Sequence, residues 1–250
     1  MSKITVSGYN GGLADGVAVI NLGSSKYAVL QIEDGVNVKW FGALGDGINI
    51  DNEEIQSAYN YAQVKRNNLF IPSGNYLMNA SLTVVDYVSV IGESGTILTA
   101  NSAMEYVIGS LAGNDFVSHF TIEKIWVEGA QLANHGFKFY KINFANSNLK
   151  NLRSQDCLLD GFHFVQCQGG AFYGLFSKFN TRNGFYIEGC NSAKFYGLDA
   201  NQNGVGFYFY GASGYSGGNY TYGFKSEANL SHAVHIVNVT SPSGYAFVIS

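Results

Sequence analysis

The chain has 250 residues and a formal net charge of −4, with 46% hydrophobic, 15% aromatic and only 13% charged residues. Its 31 glycines come with just 2 prolines, so this apolar content excludes a disordered chain and is enough for one sizeable core. The acidic balance excludes a nucleic-acid partner held by a basic stripe, and a surface so poor in charge must be covered by Asn, Ser, Gly and Tyr, which suits sugars.

Met1-Ser2-Lys3-Ile4 lacks the apolar stretch of a secretory signal, so no signal peptide is expected. No apolar run approaches the roughly 18–20 residues needed to cross a bilayer, and no membrane insertion is expected. Residues 1–38 carry short β-like runs, Val17-Ala18-Val19-Ile20 and Tyr27-Ala28-Val29-Leu30-Gln31-Ile32, punctuated by Gly and Asp. They are too few for a core and read as a stem or entry segment.

Residues 39–81 form a second unit. Gly45-Asp46-Gly47 marks a turn, with Asp46 as a turn former. Asp51 is the expected N-cap of a helix over 52–66, with Glu53 and Glu54 in its first turn and Lys65 and Arg66 in its last. Ile55, Ala58, Tyr59 and Ala62 make its apolar face. Leu69-Phe70-Ile71 and Tyr76-Leu77-Met78 are strands around the turn Pro72-Ser73-Gly74-Asn75. From 82 to 250 only strands are expected. A helix placed just before the first turn of a solenoid would cover its open edge.

In that third unit one phrase recurs. It reads His135-Gly136-Phe137-Lys138-Phe139, Asp160-Gly161-Phe162-His163-Phe164, Asn183-Gly184-Phe185-Tyr186-Ile187 and Val205-Gly206-Phe207-Tyr208-Phe209, then degenerately His232-Ala233-Val234-His235-Ile236. The anchors are 25, 23, 22 and 27 residues apart. Short aromatic and β-branched units at that period predict the turns of a parallel β-solenoid. Cys167 and Cys190 each follow their Gly by six residues, in one column with Ile142, Ala212 and Val239. They read as a stack of buried thiols. No metal-ligand spacing is present, and neither a metal nor a cofactor is expected.

Phe41-Gly42-Ala43 with Gly45-Asp46-Gly47, Asp51, Ile55 to Ala58, Pro72, Gly74, Tyr76, Gly92, Thr96 and Leu98 resemble the entry motif of the pectate-lyase-like superfamily over about residues 37–100. The likeness is greatest to bacteriophage tailspikes and tail-fibre polysaccharide depolymerases. Ile50 departs from the pattern, standing where that family often has the first of two Asp residues. The resemblance implies an all-β, right-handed parallel β-helix with one capping helix. It implies a virion tail protein, made in the host cytoplasm and assembled as a homotrimer, that binds and cleaves a bacterial surface polysaccharide. Another tail or baseplate protein would join through the N-terminal segment. Such spikes usually run to more turns, and this chain stops at Phe247-Val248-Ile249-Ser250, in what reads as another turn. A shortened relative, or a partner covering the open end, is therefore expected.

Successive turns stack about 4.8 Å apart, so equivalent residues form columns. Alignment on Gly puts Lys138, His163, Tyr186, Tyr208 and His235 in one outward column and Tyr140, Val165, Glu188, Tyr210 and Val237 in the next. Tyr173, Tyr196 and Tyr222 follow Lys150 on another strand, before a corner of Asn151, Gly174, Gly197 and Gly223. Further outward columns hold Glu128, Arg153, Phe176, Asp199 and Lys225, then Ala130, Gln155, Lys178, Asn201 and Glu227. Asn180, Asn203 and Asn229 fall in line as a structural amide ladder.

The tyrosines Tyr173, Tyr186, Tyr196, Tyr208, Tyr210 and Tyr222, with His163, are the candidate substrate contacts. A ring offers an apolar face to sugar C–H groups and a hydroxyl to its polar ones. The competing reading is a stacked ladder that only stabilises the sheet. Glycoside hydrolysis needs two carboxyls, roughly 5 Å apart for retention and 6.5–9.5 Å for inversion. Asp199 and Glu227 lie on adjacent turns two positions apart, a diagonal of about 7–8 Å, although Lys178 and Lys225 make a salt-bridged surface the rival reading. Glu188 amid Tyr186, Tyr208 and Tyr210 is the candidate proton donor, with the Asp199 face of a neighbouring subunit completing its groove. Asp156 and Asp160 read as turn formers. Binding without cleavage is one alternative. A lyase is another, although no acidic cluster dense enough for Ca²⁺ appears.

Overall fold

Each turn of the chain lays down three short strands, and each strand pairs in parallel with its counterparts in the turns before and after. The computed structural model describes residues 35–113, 116–143, 146–211 and 219–238, plus the backbone of strands Ile4–Ser7, Val19–Gly23, Lys26–Leu30 and Val248–Ile249 and of Tyr220. Among the described residues the turns build three parallel sheets of 8, 7 and 9 strands. Sheet 1 contains Trp126–Glu128, Arg153–Gln155, Phe176–Lys178, Asp199–Asn201 and Lys225–Glu227. Sheet 2 contains Met104–Gly109, Ala133–Tyr140, Asp160–Val165, Asn183–Glu188, Val205–Tyr210 and His232–Val237. Sheet 3 contains Asn148–Lys150, Ala171–Tyr173, Lys194–Tyr196 and Tyr220–Tyr222. The parallel β-solenoid expected from the repeat is the fold. The stem segment holds a separate three-stranded antiparallel sheet from Ile4–Ser7, Lys26–Leu30 and Val19–Gly23.

The recurring phrase works through its glycine and phenylalanine together. Phe137, Phe162, Phe185 and Phe207 stack inside, with neighbouring ring centroids 4.9, 5.0 and 4.9 Å apart. The preceding glycine also faces inward, towards the row of buried Ser154, Ser177 and Ala200 and half-buried Ser226 in sheet 1. A Cβ on Gly136, Gly161 or Gly206 would lie 2.0, 2.1 or 2.2 Å from a serine Oγ of that row. Two successive inward residues throw the residue before Gly and the residue after Phe onto the same outer face.

Left-handed residues turn the chain at the corners without breaking either ladder. Between sheets 3 and 1 these are Lys124, Asn151, Gly174, Gly197 and Gly223; between sheets 1 and 2, Asp156, Phe179, Gln202 and Ala228. The turn before Asp156 has two such residues, Ala130 and Gln131. That lengthens its corner and corrects the columns read from sequence. Trp126, not Glu128, pairs with Arg153, and Glu128 pairs with Gln155, so Glu128 lies in the column that ends in Glu227.

The amide ladder is present and closed. Asn180 donates its Nδ2–H to Asn203 Oδ1 at 2.8 Å, and Asn203 donates to Asn229 Oδ1 at 3.2 Å. The same oxygens accept the backbone N–H groups of Asn180 and Asn203. Cys167 and Cys190 are buried free thiols as expected, beneath Ile142. Ala212 and Val239, placed in the same column, lie outside the described residues, as does most of the expected final turn.

At the entry, the helix spans Asn52–Lys65 and buries Ile55, Ala58, Tyr59 and Ala62 in the same core as the first strands. Asp51 makes no side-chain cap. Its carboxylate instead accepts the backbone N–H groups of Leu44 and Gly45, which holds the entry loop. Asp46 is the turn former expected, accepting Ile48 and Asn49 N–H at 2.9 Å each.

Candidate functional site

The solenoid presents three outer faces, and each carries residues nominated from the sequence. On sheet 3, Tyr173, Tyr196 and Tyr222 stack with centroids 5.1 and 5.0 Å apart and planes within 8°. Each ring therefore covers its neighbour's face and leaves mainly edges at the surface. This is the stacked ladder of the competing reading.

On sheet 2, His163, Tyr186, Tyr208 and His235 form a continuous aromatic column with successive centroids 4.6, 5.2 and 4.9 Å apart. Tyr186 and Tyr208 are half-buried. His163, expected among the substrate contacts, is buried at 8% exposure with Nδ1 on Asp160 at 2.9 Å, so it supports this face from within. Glu188 lies in register between Val165 and Tyr210, half-buried as the sequence placed it. Burial, and then the charge of Glu188, push the Tyr186 hydroxyl up to about 12, so it remains a hydrogen-bond donor at any working pH.

Beneath that column lies a cluster the sequence reading treated as a turn. Asp160 is fully buried. Its Oδ1 accepts Arg182 Nε–H at 2.8 Å and Asn183 Nδ2–H at 2.6 Å, and its Oδ2 faces Arg182 Nη2, His163 Nδ1 and His135 Nδ1, the last at 3.1 Å. Burial alone would raise its pKa, but the Arg182 guanidinium and the His135 and His163 rings beside it overcome burial and hold the carboxyl far below the usual range. For His163 burial wins over the pull of Asp160 and lowers the pKa, so the ring is neutral at pH 7. The signal was present in the repeat, because His135, Asp160 and Asn183 each stand immediately before its Gly and form one register column.

On sheet 1, Asp199 pairs in register with Lys225 and Asn201 with Glu227, so the expected Asp199–Glu227 diagonal exists. Lys225 forms an ion pair with Glu227, which lowers the Glu227 pKa and keeps it ionised. Asp199 is half-buried, and its Oδ1 is buried without a hydrogen-bond partner. Further up this face the sequence reading missed a carboxyl pair. Half-buried Glu128 receives Gln155 Nε2–H at 2.6 Å and Ala130 N–H at 3.3 Å. Burial nevertheless pushes its pKa above the ordinary value, and the neighbouring Asp156 carboxyl adds to the rise. The left-handed backbone of Asp156 lets Gln155 and Asp156 both reach Glu128. Gln155 also accepts from Arg153 Nη2 at 3.0 Å, and the Arg153 guanidinium lies between the rings of Trp126 (4.0 Å) and Phe176 (4.8 Å). Trp126 and Arg153 also line an open groove of about 380 Å³ with Asn151, Lys124 and Glu93, a lining that does not include Glu128 or Asp156.

For a metal, the described residues offer one convergent set, in which ligand atoms of His135, Asp160 and His163 lie within 4.8 Å of one another.

Residues 35–118 match the family model described as rhamnogalacturonase A/epimerase, pectate lyase-like. No curated protein matches the chain in sequence. Among solved structures, the tailspike protein gp49 of Acinetobacter baumannii bacteriophage Fri1, a capsular polysaccharide depolymerase, is similar at TM-score 0.75 and 14% identity, covering 97% of this chain and 50% of that one. ORF18 of Geobacillus virus E2 is similar at TM-score 0.69 and 20% identity, covering 82% and 47%. The A-module of the mannuronan C-5 epimerase AlgE6 of Azotobacter vinelandii is similar at TM-score 0.55 and 19% identity, covering 80% and 72%. The chain spans about half the length of the two viral structures. Residues 35–118 therefore carry a pectate-lyase-like family match, and the described turns share the parallel β-solenoid fold of these structures.

Proposed function

We propose that this protein binds a bacterial surface polysaccharide, capsule or O-antigen, along its outer faces and hydrolyses it as part of a phage tailspike or tail fibre during host attachment. The observation that carries the reading is Glu128 on sheet 1. Its carboxyl is half-buried, raised in pKa by burial and by Asp156, and carried on the same strand as Trp126, which with Arg153 lines the groove. A general acid must hold its proton near neutral pH, and a second carboxyl must act as base or nucleophile. Asp156, near enough to share a hydrogen bond with Glu128, raises that pKa but lies too close for either separation, so the second role would fall to another carboxyl. Glu188 and Asp199 are the other carboxyls placed on outer faces for such work, whereas Glu227, held ionised by Lys225, suits a base rather than an acid. The tyrosine rows Tyr173, Tyr196 and Tyr222, and Tyr186, Tyr208 and Tyr210, would line the path of the polymer. A homotrimer would set the Glu188 face of one chain against the Asp199 face of the next, and the N-terminal segment would join the rest of the tail. The likeness to a capsular polysaccharide depolymerase and to a polysaccharide epimerase supports this substrate class.

Incubation with capsule or O-antigen of the host, followed by size analysis of the products, tests the reading. Oligosaccharides with an intact reducing end are expected. Products with an unsaturated ring would mark a lyase, and binding without any products would mark a receptor-binding module that does not cut.

A further inference from the structure

The Asp160 cluster is more specific than a buried ion pair requires. Its two carboxylate oxygens are divided in role. Oδ1 is fixed by Arg182 Nε and Asn183 Nδ2 from the next turn, while Oδ2 faces the Nδ1 atoms of His135 at 3.1 Å and His163 at 2.9 Å. The two imidazoles meet edge to face with centroids 4.5 Å apart, which brings both Nδ1 atoms to the same oxygen. His135 is 2% exposed, and its Nδ1 makes no well-formed hydrogen bond despite that burial. A buried ring nitrogen left in that state costs about 1–3 kcal/mol unless something else engages it. Its other nitrogen, Nε2, lies 3.7 Å from the Glu105 carboxylate, which Asn134 and Lys138 hold in place.

We propose that His135, Asp160 and His163 form a binding site for a divalent transition-metal ion of the zinc class. Ligands at roughly 2.0–2.1 Å from a tetrahedral ion lie about 3.3 Å from one another; Asp160 Oδ2 lies 3.1 and 2.9 Å from the two Nδ1 atoms, and the three ligand atoms all fall within 4.8 Å. Two imidazoles and one carboxylate suit zinc, manganese or ferrous ions, and leave a position open. The outer shell is also of the kind that metal ligands use. A carboxylate stands behind His135, and the oxygen of Asp160 that faces away from the imidazoles is held by two donors. The competing group is Arg182, whose Nη2 also reaches Oδ2. Its side chain is 44% exposed and so has room to withdraw Nη2 while Nε keeps Oδ1. The site does not depend on the polysaccharide reading.

The test uses the full chain, stripped with chelator, dialysed, and titrated with ZnCl₂ and separately with MnCl₂ without any sugar. One equivalent bound per chain, with a rise in melting temperature, is the expected result. His163→Gln should weaken binding at least tenfold, and Asn183→Ala, acting through Asp160, about 10–100-fold. Arg182→Gln should bind zinc as well as the parent or better, because its competition for Oδ2 is reduced. Circular dichroism identifies any variant that fails to fold, and the remaining variants still decide. Less than a tenth of an equivalent bound by both parent and Arg182→Gln overturns the proposal and leaves a self-contained ion-pair cluster. Zinc bound equally by folded His163→Gln overturns it too, and points to other histidines such as His232 and His235.

Discussion

Gly161 approaches Ser177 so closely that a Cβ at residue 161 would lie 2.1 Å from the Ser177 hydroxyl oxygen. The glycine of the repeat is thus a contact between sheets 2 and 1, and the phrase is a packing rule before it is a turn signal. Ser177 Oγ in turn donates to the Gly184 carbonyl at 2.9 Å and accepts from Asn180 Nδ2, so the contact ties three successive columns together.

Gly161→Ala is expected to destabilise the protein by about 1–3 kcal/mol, the usual cost of overpacking, as measured by urea unfolding. The double variant Gly161→Ala, Ser177→Gly should recover part of that loss. If the single substitution is neutral, the close approach is not what the glycine is for.

Asn203 accepts two hydrogen bonds from Asn180 and donates to Ser177 O and Asn229 Oδ1 while fully buried. Asn203→Ala strands these groups without water and should cost about 2–3 kcal/mol. Asn203→Asp keeps the acceptor but buries a charge, and its stability should fall further as pH rises above the carboxyl's own pKa. Thermal unfolding at two pH values separates the two effects.

Glu128→Gln is expected to lower cleavage about 10²–10⁴-fold with little change in polysaccharide affinity. Because the folded-state pKa of Glu128 is raised, the proton it binds stabilises the fold below the unfolded value. That contribution is lost as pH rises through the folded value. Activity should fall over the same alkaline limb, since a general acid works protonated. A pH–rate profile without that limb, or a fully active Glu128→Gln, would remove Glu128 from the chemistry.

The stacked rings of Tyr173, Tyr196 and Tyr222 separate two roles that one residue type can play. Tyr196→Phe keeps the stack and should leave stability within about 0.5 kcal/mol, whereas Tyr196→Ala opens it and should cost about 1 kcal/mol. If the polymer meets ring edges and hydroxyls, affinity falls nearly as much for Phe as for Ala. Retention of full affinity by Phe would restore the face-stacking model. Isothermal titration with size-fractionated polysaccharide distinguishes these outcomes.

The sequence by itself determined the parallel β-solenoid, its inward Phe stack, the amide ladder of Asn180, Asn203 and Asn229, and the corner at Asn151, Gly174, Gly197 and Gly223. Those features repeat once per turn, and in-register stacking converts repetition along the chain directly into columns in space. It also placed Asp199 diagonally from Glu227 and Glu188 between Val165 and Tyr210. Only the tertiary structure decided what each carboxyl meets. The doubled left-handed corner at Ala130 and Gln131 moved Glu128 onto the column of Gln155 and brought it to Asp156, and no periodic pattern announces an extra corner residue. Asp160 looked like a turn former because it precedes a glycine. Two inward residues in succession instead set it beside His163, and stacking added His135 and Arg182 from the turns on either side. Protonation and binding depend on such neighbours, which come from different turns and are fixed by distances that the repeat does not encode.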